Sequence, residues 1–574
     1  MNILLKIKND LAKKVNKAAG EAVVFAADFV YPPNAEMGDL SLACFGLAKK
    51  RGENPADTAR ILAGKIKADK TIAAVKAAGP YLNFVLENGL LANRTIGVIA
   101  RQKKKYGFNK KAKKKRVMIE FANMNTHKEV HIGHMRNIAY GDAAARLIAA
   151  NGDTAIPVSY INDFGIHVAK TLWFYKNHFK KSELAEMSWD SKGALLGRVY
   201  AEATKKIDEN EDLKQEVGEV MKNIESRQGD DYKLWEKTRK WNIRQFADIY
   251  KELGVKFKAT MYENEFVGKG FELVKELKAK GVLIDSEGAV IADLSAYGLG
   301  VLLFLRSDST ALYPVADLPL SMHKFEKFKV DASIVVVDAR QGQYFKQISK
   351  VLNLLGYEKE MLHLGYDIVK LPTGIMAART GNIITYNQLK AGIYAQAFQE
   401  TEARHKDWPE EKIAKVAKAL VIGAMKFEML KVGREQIITF DIKEALRFDG
   451  FTAAYLQYTI ARINSIIRKA GITNYELRIT NDIEKLTEAK EHGLVLRLAK
   501  YPEAVARAGE RFDPSEIAKY LFELAQNFND YYHSVPVLAA VEEVKNARLA
   551  LIAAVSQTLK NGLELLGIEA VEEM

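Results

Sequence analysis

The sequence predicts a multidomain α/β chain: a doubly wound parallel sheet at its centre, a small α+β domain before it and an all-α helical bundle after it. Three observations carry this expectation. With 574 residues the chain is too long for one hydrophobic core, since domains run to roughly 100–200 residues. Arg116 to Phe121 reads as a strand, Met135 to Ala150 as an Ala-rich helix stopped by Asn151-Gly152, and Ala155 to Tyr160 as a second strand. That order is the unit of a parallel sheet. From about Asn387 the apolar residues recur at helical spacing to the end.

Composition narrows the class. Hydrophobic content of 48% and charged content of 27% suit a globular protein in water,. The one cysteine, Cys44, excludes a disulfide framework and a multi-Cys zinc site, and the ten histidines show no metal-ligand spacing,. No metal site within the protein is therefore expected. No apolar run reaches the ~18–20 residues that span a bilayer, and the basic N-terminus lacks a leader's apolar core. No membrane contact and a cytoplasmic location are expected. The net charge of +13 is local: residues 101–116 hold eight lysines, two arginines and no acid, leaving +3 for the other 558 residues. The plainer reading of that run is a solvated linker; attraction to RNA phosphate is the sharper one.

Residues 1–110 form the expected first domain. Asn9 to Ala19 and Pro55 to Lys67 have helical periodicity, and Tyr81 to Leu86 reads as a strand,. Pro32 to Ser41, with Gly38-Asp39, is a turn-rich loop,. The central domain is expected over 111–386, with a Lys- and Glu-rich helical insertion at about 180–252. It holds further strands at Glu287 to Leu294, Val301 to Arg306 and Ser333 to Val337. Tyr313 and Asp317 are four apart, so a helix starting near Pro314 presents both toward one ligand. The bundle is expected over 387–574, with long patterns at Thr401 to Val432 and Leu446 to Ala470.

The chemistry centres on His131-Ile132-Gly133-His134, where strand hands over to helix. A helix start offers unpaired N–H groups and partial positive charge, both suited to phosphate. Gly133 has no Cβ to hold a ligand off, and the two imidazoles can donate to phosphate oxygens under attack.

This stretch resembles the HIGH signature of class I aminoacyl-tRNA synthetases. With Asn125 and Lys128 upstream, it resembles the arginyl-tRNA synthetases in particular. Ile161-Asn162-Asp163-Phe164-Gly165 is similar to the family's Asn-Asp-Trp-Gly run, with Phe164 in place of tryptophan. The resemblance implies a Rossmann-type catalytic domain and an arginine site at Asn125, Glu263, Tyr313, Asp317 and Gln341. A planar guanidinium with five donors calls for such fixed carboxylates. Lys370 to Asn382 resembles the Lys-Met-Ser-Lys-Ser loop, but Ile375 and Ala378 stand where its lysines would be. Lys128 is implied to substitute, with Arg379 as the loop cation, so His131, His134, Lys128 and Arg379 are the implied catalytic set. His131, Gly133, His134 and Met376 are implied to hold ATP with its Mg2+. Glu444 to Gly450, Tyr455 to Tyr458, Phe528 to Tyr532 and the ending Leu549 to Met574 resemble the family's anticodon-binding bundle. Asp39, Tyr455, Tyr458, Tyr532 and Met574 are the implied tRNA contacts. The implied activity is ATP-dependent charging of arginine tRNA by a monomer that needs tRNA before it activates arginine. The missing loop lysines motivate one alternative, a catalytically decayed tRNA-binding relative.

Overall fold

The computed structural model describes residues 2–179, 187–372, 384–471 and 481–574. The first part contains α1 (Ile3–Ala19), β1 (Phe29–Val30), β2 (Leu40–Ala43), α2 (Phe45–Arg51), α3 (Pro55–Lys65), β3 (Ile72–Ala78), β4 (Tyr81–Leu86) and α4 (Asn88–Gln102). Its antiparallel sheet has the order β1-β2-β4-β3. The first helix begins at Ile3, ahead of its expected start, because the Asn2 side chain accepts the Leu5 N–H and caps it,. Although α4 precedes the basic run, it packs on the bundle's later helices.

The central part runs β5 (Arg116–Glu120), α5 (Ile132–Ala150), β6 (Thr154–Ile161), α6 (Ile166–His178), α7 (Trp189–Glu209), α8 (Leu213–Glu225), α9 (Gly229–Glu252) and β7 (Ala259–Tyr262). It continues through α10 (Val267–Ala279), β8 (Ile284–Ser286), β9 (Ala289–Asp293), β10 (Val301–Leu305), α11 (Tyr313–Phe328), β11 (Ala332–Asp338), α12 (Gly342–Leu354), β12 (Glu360–Tyr366) and β13 (Val369–Lys370). Five strands make a wholly parallel sheet in the order β12-β11-β5-β6-β7. Period-2 alternation on β5 supplies both faces: Val117 and Ile119 join the core that includes α5, and Met118 joins the core that includes α11,. The two strands read at 287–294 and 301–306 form a separate antiparallel sheet with β8.

The last part holds α13 (Tyr386–Arg404), α14 (Glu410–Leu430), β14 (Ile438–Thr439), α15 (Ile442–Ala445), α16 (Ala453–Lys469), α17 (Ala489–Arg511), α18 (Ser515–Ser534) and α19 (Glu542–Leu565). Two continuous helical readings are corrected here. Pro409 cannot continue a helix and splits Thr401 to Val432, and His405 stacks on Trp408 at the break, 3.8 Å between centroids,. Leu446 to Ala470 turns at Gly450 (φ +94°) before Thr452 caps α16 by accepting the Tyr455 N–H. The last part is not helical throughout either, since β14 pairs with β13 of the central part. Among the described residues no helix is long and apolar enough to cross a membrane.

The first and last parts also grip each other directly. Lys8 pairs with Glu503 at 3.0 Å, Tyr31 Oη donates to Glu503 at 2.7 Å, and Asp39 meets His492 Nε2 at 2.7 Å.

Candidate active site

A cavity of about 750 Å3 opens at the C-terminal ends of β5, β6 and β11. It lies where β5 and β11 are neighbours while the chain winds away to either side, the expected ligand crevice of an open α/β sheet,. The approach from β5 is held in unusual backbone: Ala122 and His127 have φ of +57° and +61°, a local strain of about 1–3 kcal/mol each. Asn137 Oδ1 accepts the Ala122 N–H at 2.5 Å, and Asn242 Oδ1 accepts the His127 N–H at 2.9 Å.

One wall is built on the histidines. His131 is the N-cap of α5, and its Nδ1 accepts the Gly133 N–H at 3.1 Å. His134 Nδ1 accepts the His131 N–H at 3.2 Å. The rings lie 3.9 Å apart. Burial, then the Lys128 charge, lowers His131 to about 4; burial, then His131 and Lys128, holds His134 well below its ordinary value. Both imidazoles are neutral at pH 7, and with each Nδ1 accepting, each proton sits on Nε2. This corrects the expectation of open helix-start amides: the Ile132, Gly133 and His134 N–H groups already donate to Ile384 O, His131 Nδ1 and His131 O. The donors that the two rings keep for a ligand are their Nε2–H groups. A Cβ at Gly133 would stand 3.0 Å from the His131 ring, so that glycine also makes room for the imidazole. Lys128 does not line the cavity; its ammonium lies 5.1 Å from the Tyr200 ring on α7.

The opposite wall is acidic. As the spacing predicts, α11 starts at Tyr313 and carries Asp317 one turn on. Asp317 lines the cavity and accepts the Tyr344 hydroxyl at 2.5 Å; burial raises its carboxyl to about 6. Glu263 lies behind Asn162, whose Nδ2 donates to Glu263 Oε2 at 3.2 Å. Burial, then the nearby Asp317 charge, pushes Glu263 up to about 8. The fold thus brings Glu263 near Asp317, while Glu265 faces solvent. Beside them Glu120 forms a buried ion pair with Lys324. Asn125, Tyr313 and Gln341 also line the cavity, Tyr313 being 67% exposed at its mouth. Met376 and Arg379 lie outside the described residues.

One cation supports the histidine wall from behind. Arg136, one turn along α5, is fully buried and donates to four main-chain oxygens, those of Ile368, Gly433, Arg434 and Gln436. It ties the histidine helix to the segments that enter β13 and β14.

The family described as tRNA synthetases class I (R), catalytic domain, matches residues 95–442. The Arginyl tRNA synthetase N terminal domain matches 5–86, and the DALR anticodon binding domain 456–574. The chain belongs to the arginyl-tRNA synthetase family. It is 36% identical to an arginine–tRNA ligase of Bdellovibrio bacteriovorus, over 97% of this chain and 96% of that one. It is 31% identical to one of Clostridium acetobutylicum, over 99% and 100%. The arginyl-tRNA synthetase of Thermus thermophilus superposes with a TM-score of 0.80 at 26% identity, over 99% and 100% of the two chains.

Against this family frame, the expected tRNA contacts divide. Asp39 is buried, with one oxygen accepting the Leu86 N–H at 2.7 Å and the other engaged by His492. It joins the first and last parts. Tyr455, Tyr458, Tyr532 and Met574 are half-buried on the bundle. Tyr455 Oη accepts from Asn529 at 2.7 Å, and the Arg462 guanidinium lies 4.9 Å over the Tyr458 ring. Sequence reading missed Tyr160, Tyr344, Ser321 and Lys324, all lining the cavity. For the last two a signal existed: they follow Asp317 by four and seven residues on one helix face.

Proposed function

We propose that the chain charges tRNA with arginine in two steps. The arginine carboxylate attacks the α-phosphate of ATP, expelling pyrophosphate, and the arginyl group then passes from adenylate to the 3′-terminal ribose, releasing AMP. Asp317 and Glu263, with Asn125, Tyr313 and Gln341 around them, receive the substrate. His131 and His134 donate from Nε2 to the phosphate oxygens that gain charge, with Lys128 and Arg379 adding positive potential. Catalysis is then positioning and charge stabilisation without a covalent enzyme intermediate. Mg2+ arrives on the ATP phosphates. Residues 1–110, 111–386 and 387–574 divide the work as tRNA-contacting, catalytic and anticodon-binding parts of a monomer in the cytoplasm. Tyr455, Tyr458, Tyr532 and Met574 meet the anticodon arm.

The observation that carries this reading is the acidic wall: two buried carboxyls, Asp317 and Glu263, both shifted toward their neutral forms. A guanidinium is the ligand that would relieve both. Arginine-dependent ATP–pyrophosphate exchange, with and without matched tRNA and against lysine and glutamine, tests it. Exchange with arginine alone among the three, and only with tRNA, is expected. Exchange with lysine at a similar rate would overturn the assignment.

A further inference from the structure

Residues 101–116 meet the catalytic sheet at the end opposite to the cavity. Strand β5 begins at Arg116 and reaches the cavity through Glu120, so the run enters a strand's length away, roughly 13 Å,. The Lys115 N–H donates to Asp153 at the start of β6, and the Arg116 N–H to Asp331 at the start of β11.

The run is fastened along its length. Tyr106 is buried, its hydroxyl donates to Leu498 O at 2.7 Å and its ring stacks on Tyr501. Asn561 donates to Lys103 O and Tyr106 O from α19. The Asn109 N–H donates to Ala150 O at 2.7 Å, and its side chain to Asn151. A plain spacer has no use for these anchors; their effect is to fix where the lysines stand. Lys104, Lys105, Lys110, Lys113, Lys114 and Lys115 are exposed, and among the described residues none has a carboxylate partner, whereas Lys111 pairs with Asp153. Phe108, 39% exposed, stands between the two lysine groups.

We propose that this strip is a second RNA-binding surface, holding the phosphate backbone of an RNA other than the tRNA whose end enters the cavity. The point charges of lysine suit diester phosphates at low sequence selectivity, and Phe108 offers a face for an unpaired base. A lipid surface would call for a broader apolar face than one phenylalanine. The proposal rests on the chain's handling of RNA, and its test keeps that reading separate.

The test is a variant with Lys→Gln at those six positions, assayed with a uridine 30-mer across a salt series and in arginine tRNA charging. The parent should bind the oligomer with a strong salt dependence. In the variant the slope of log K against log salt should shrink by about four, since each phosphate contact on a single strand contributes about 0.7. Affinity near 0.1 M salt should fall at least tenfold, while kcat/KM for charging stays within twofold. Phe108→Ala should weaken the oligomer about threefold and leave the slope unchanged. No oligomer binding by the parent, or a slope unchanged in the variant, overturns the proposal. So does a tenfold rise in the variant's KM for tRNA, which would assign the lysines to the substrate's own path. Failure of charging in the parent itself would strike the proposed function instead.

Discussion

Burial pushes the two walls of the cavity toward neutrality from opposite sides. It raises the Asp317 carboxyl to about 6 and that of Glu263 to about 8, and it keeps a second proton off His131 and His134. On the proposed function, the acidic wall must lose protons to meet a guanidinium, so its affinity for ligand would depend on pH. The histidine wall would change nothing to meet a phosphate, because each Nδ1 is already satisfied and each Nε2 carries the proton. One wall stores unfavourable electrostatics until its ligand comes; the other is preorganised at rest.

The largest break in this comparison should come from Asp317→Asn. Removing one partner of a buried ion pair costs about 3–5 kcal/mol, so arginine-dependent exchange should fall at least ~100-fold while KM for ATP holds, as steady-state kinetics would show. Next comes His134. Asparagine can still accept the His131 N–H but lacks the reach of Nε2, so His134→Asn should lower kcat about 10²–10³-fold. His134→Gln, which keeps the distant donor, should recover part of that, and KM for arginine should stay put in both. If Asn were as active as parent, the phosphate role of Nε2 would be lost.

The pH profile separates the walls without mutation. Carboxyls raised to about 6 and about 8 are protonated at low pH, so kcat/KM for arginine should climb roughly 100-fold from pH 6 to 8 and level above about pH 9,. The histidines, lowered to about 4 and below, should add no inflection there. Stability should run the other way. Between the unfolded glutamate value near 4.5 and its folded value, the native protein holds the extra proton, so the ligand-free protein weakens as pH rises,. Glu263→Gln should therefore raise Tm at pH 8 more than at pH 5, while it flattens the upper part of the activity profile. The smallest effect is expected from Arg136→Lys. An ammonium cannot span four carbonyls set for a guanidinium, so kcat should fall several-fold, about 1–2 kcal/mol, with KM for arginine unchanged.

Much of this was legible in sequence because local rules decided it. Buried runs at Val117 to Glu120 and Ser333 to Val337 became adjacent parallel strands, and the Tyr313–Asp317 spacing became one face of α11. Glu263 and Glu265 could not be ranked by sequence; burial separates them. Tyr344 and Lys324 escaped notice because their roles depend on partners 27 residues away at Asp317 and across the sheet at Glu120. The burial of Asp39 escaped notice for a similar reason, as its partner His492 lies 453 positions on. The histidines were found, but not their tautomers, which are set by main-chain N–H groups that a motif does not display.

The clasp between the first and last parts sets a timetable for synthesis. Lys8 and Glu503 are 495 positions apart, so at ~5–20 residues per second the ribosome delivers the second roughly 25–100 s after the first. For that interval the newborn domain waits with its docking face in water. Lys8, Tyr31 and Asp39 are groups that water solvates well, so this part of the face invites less mispairing on the crowded ribosome than an apolar seam would.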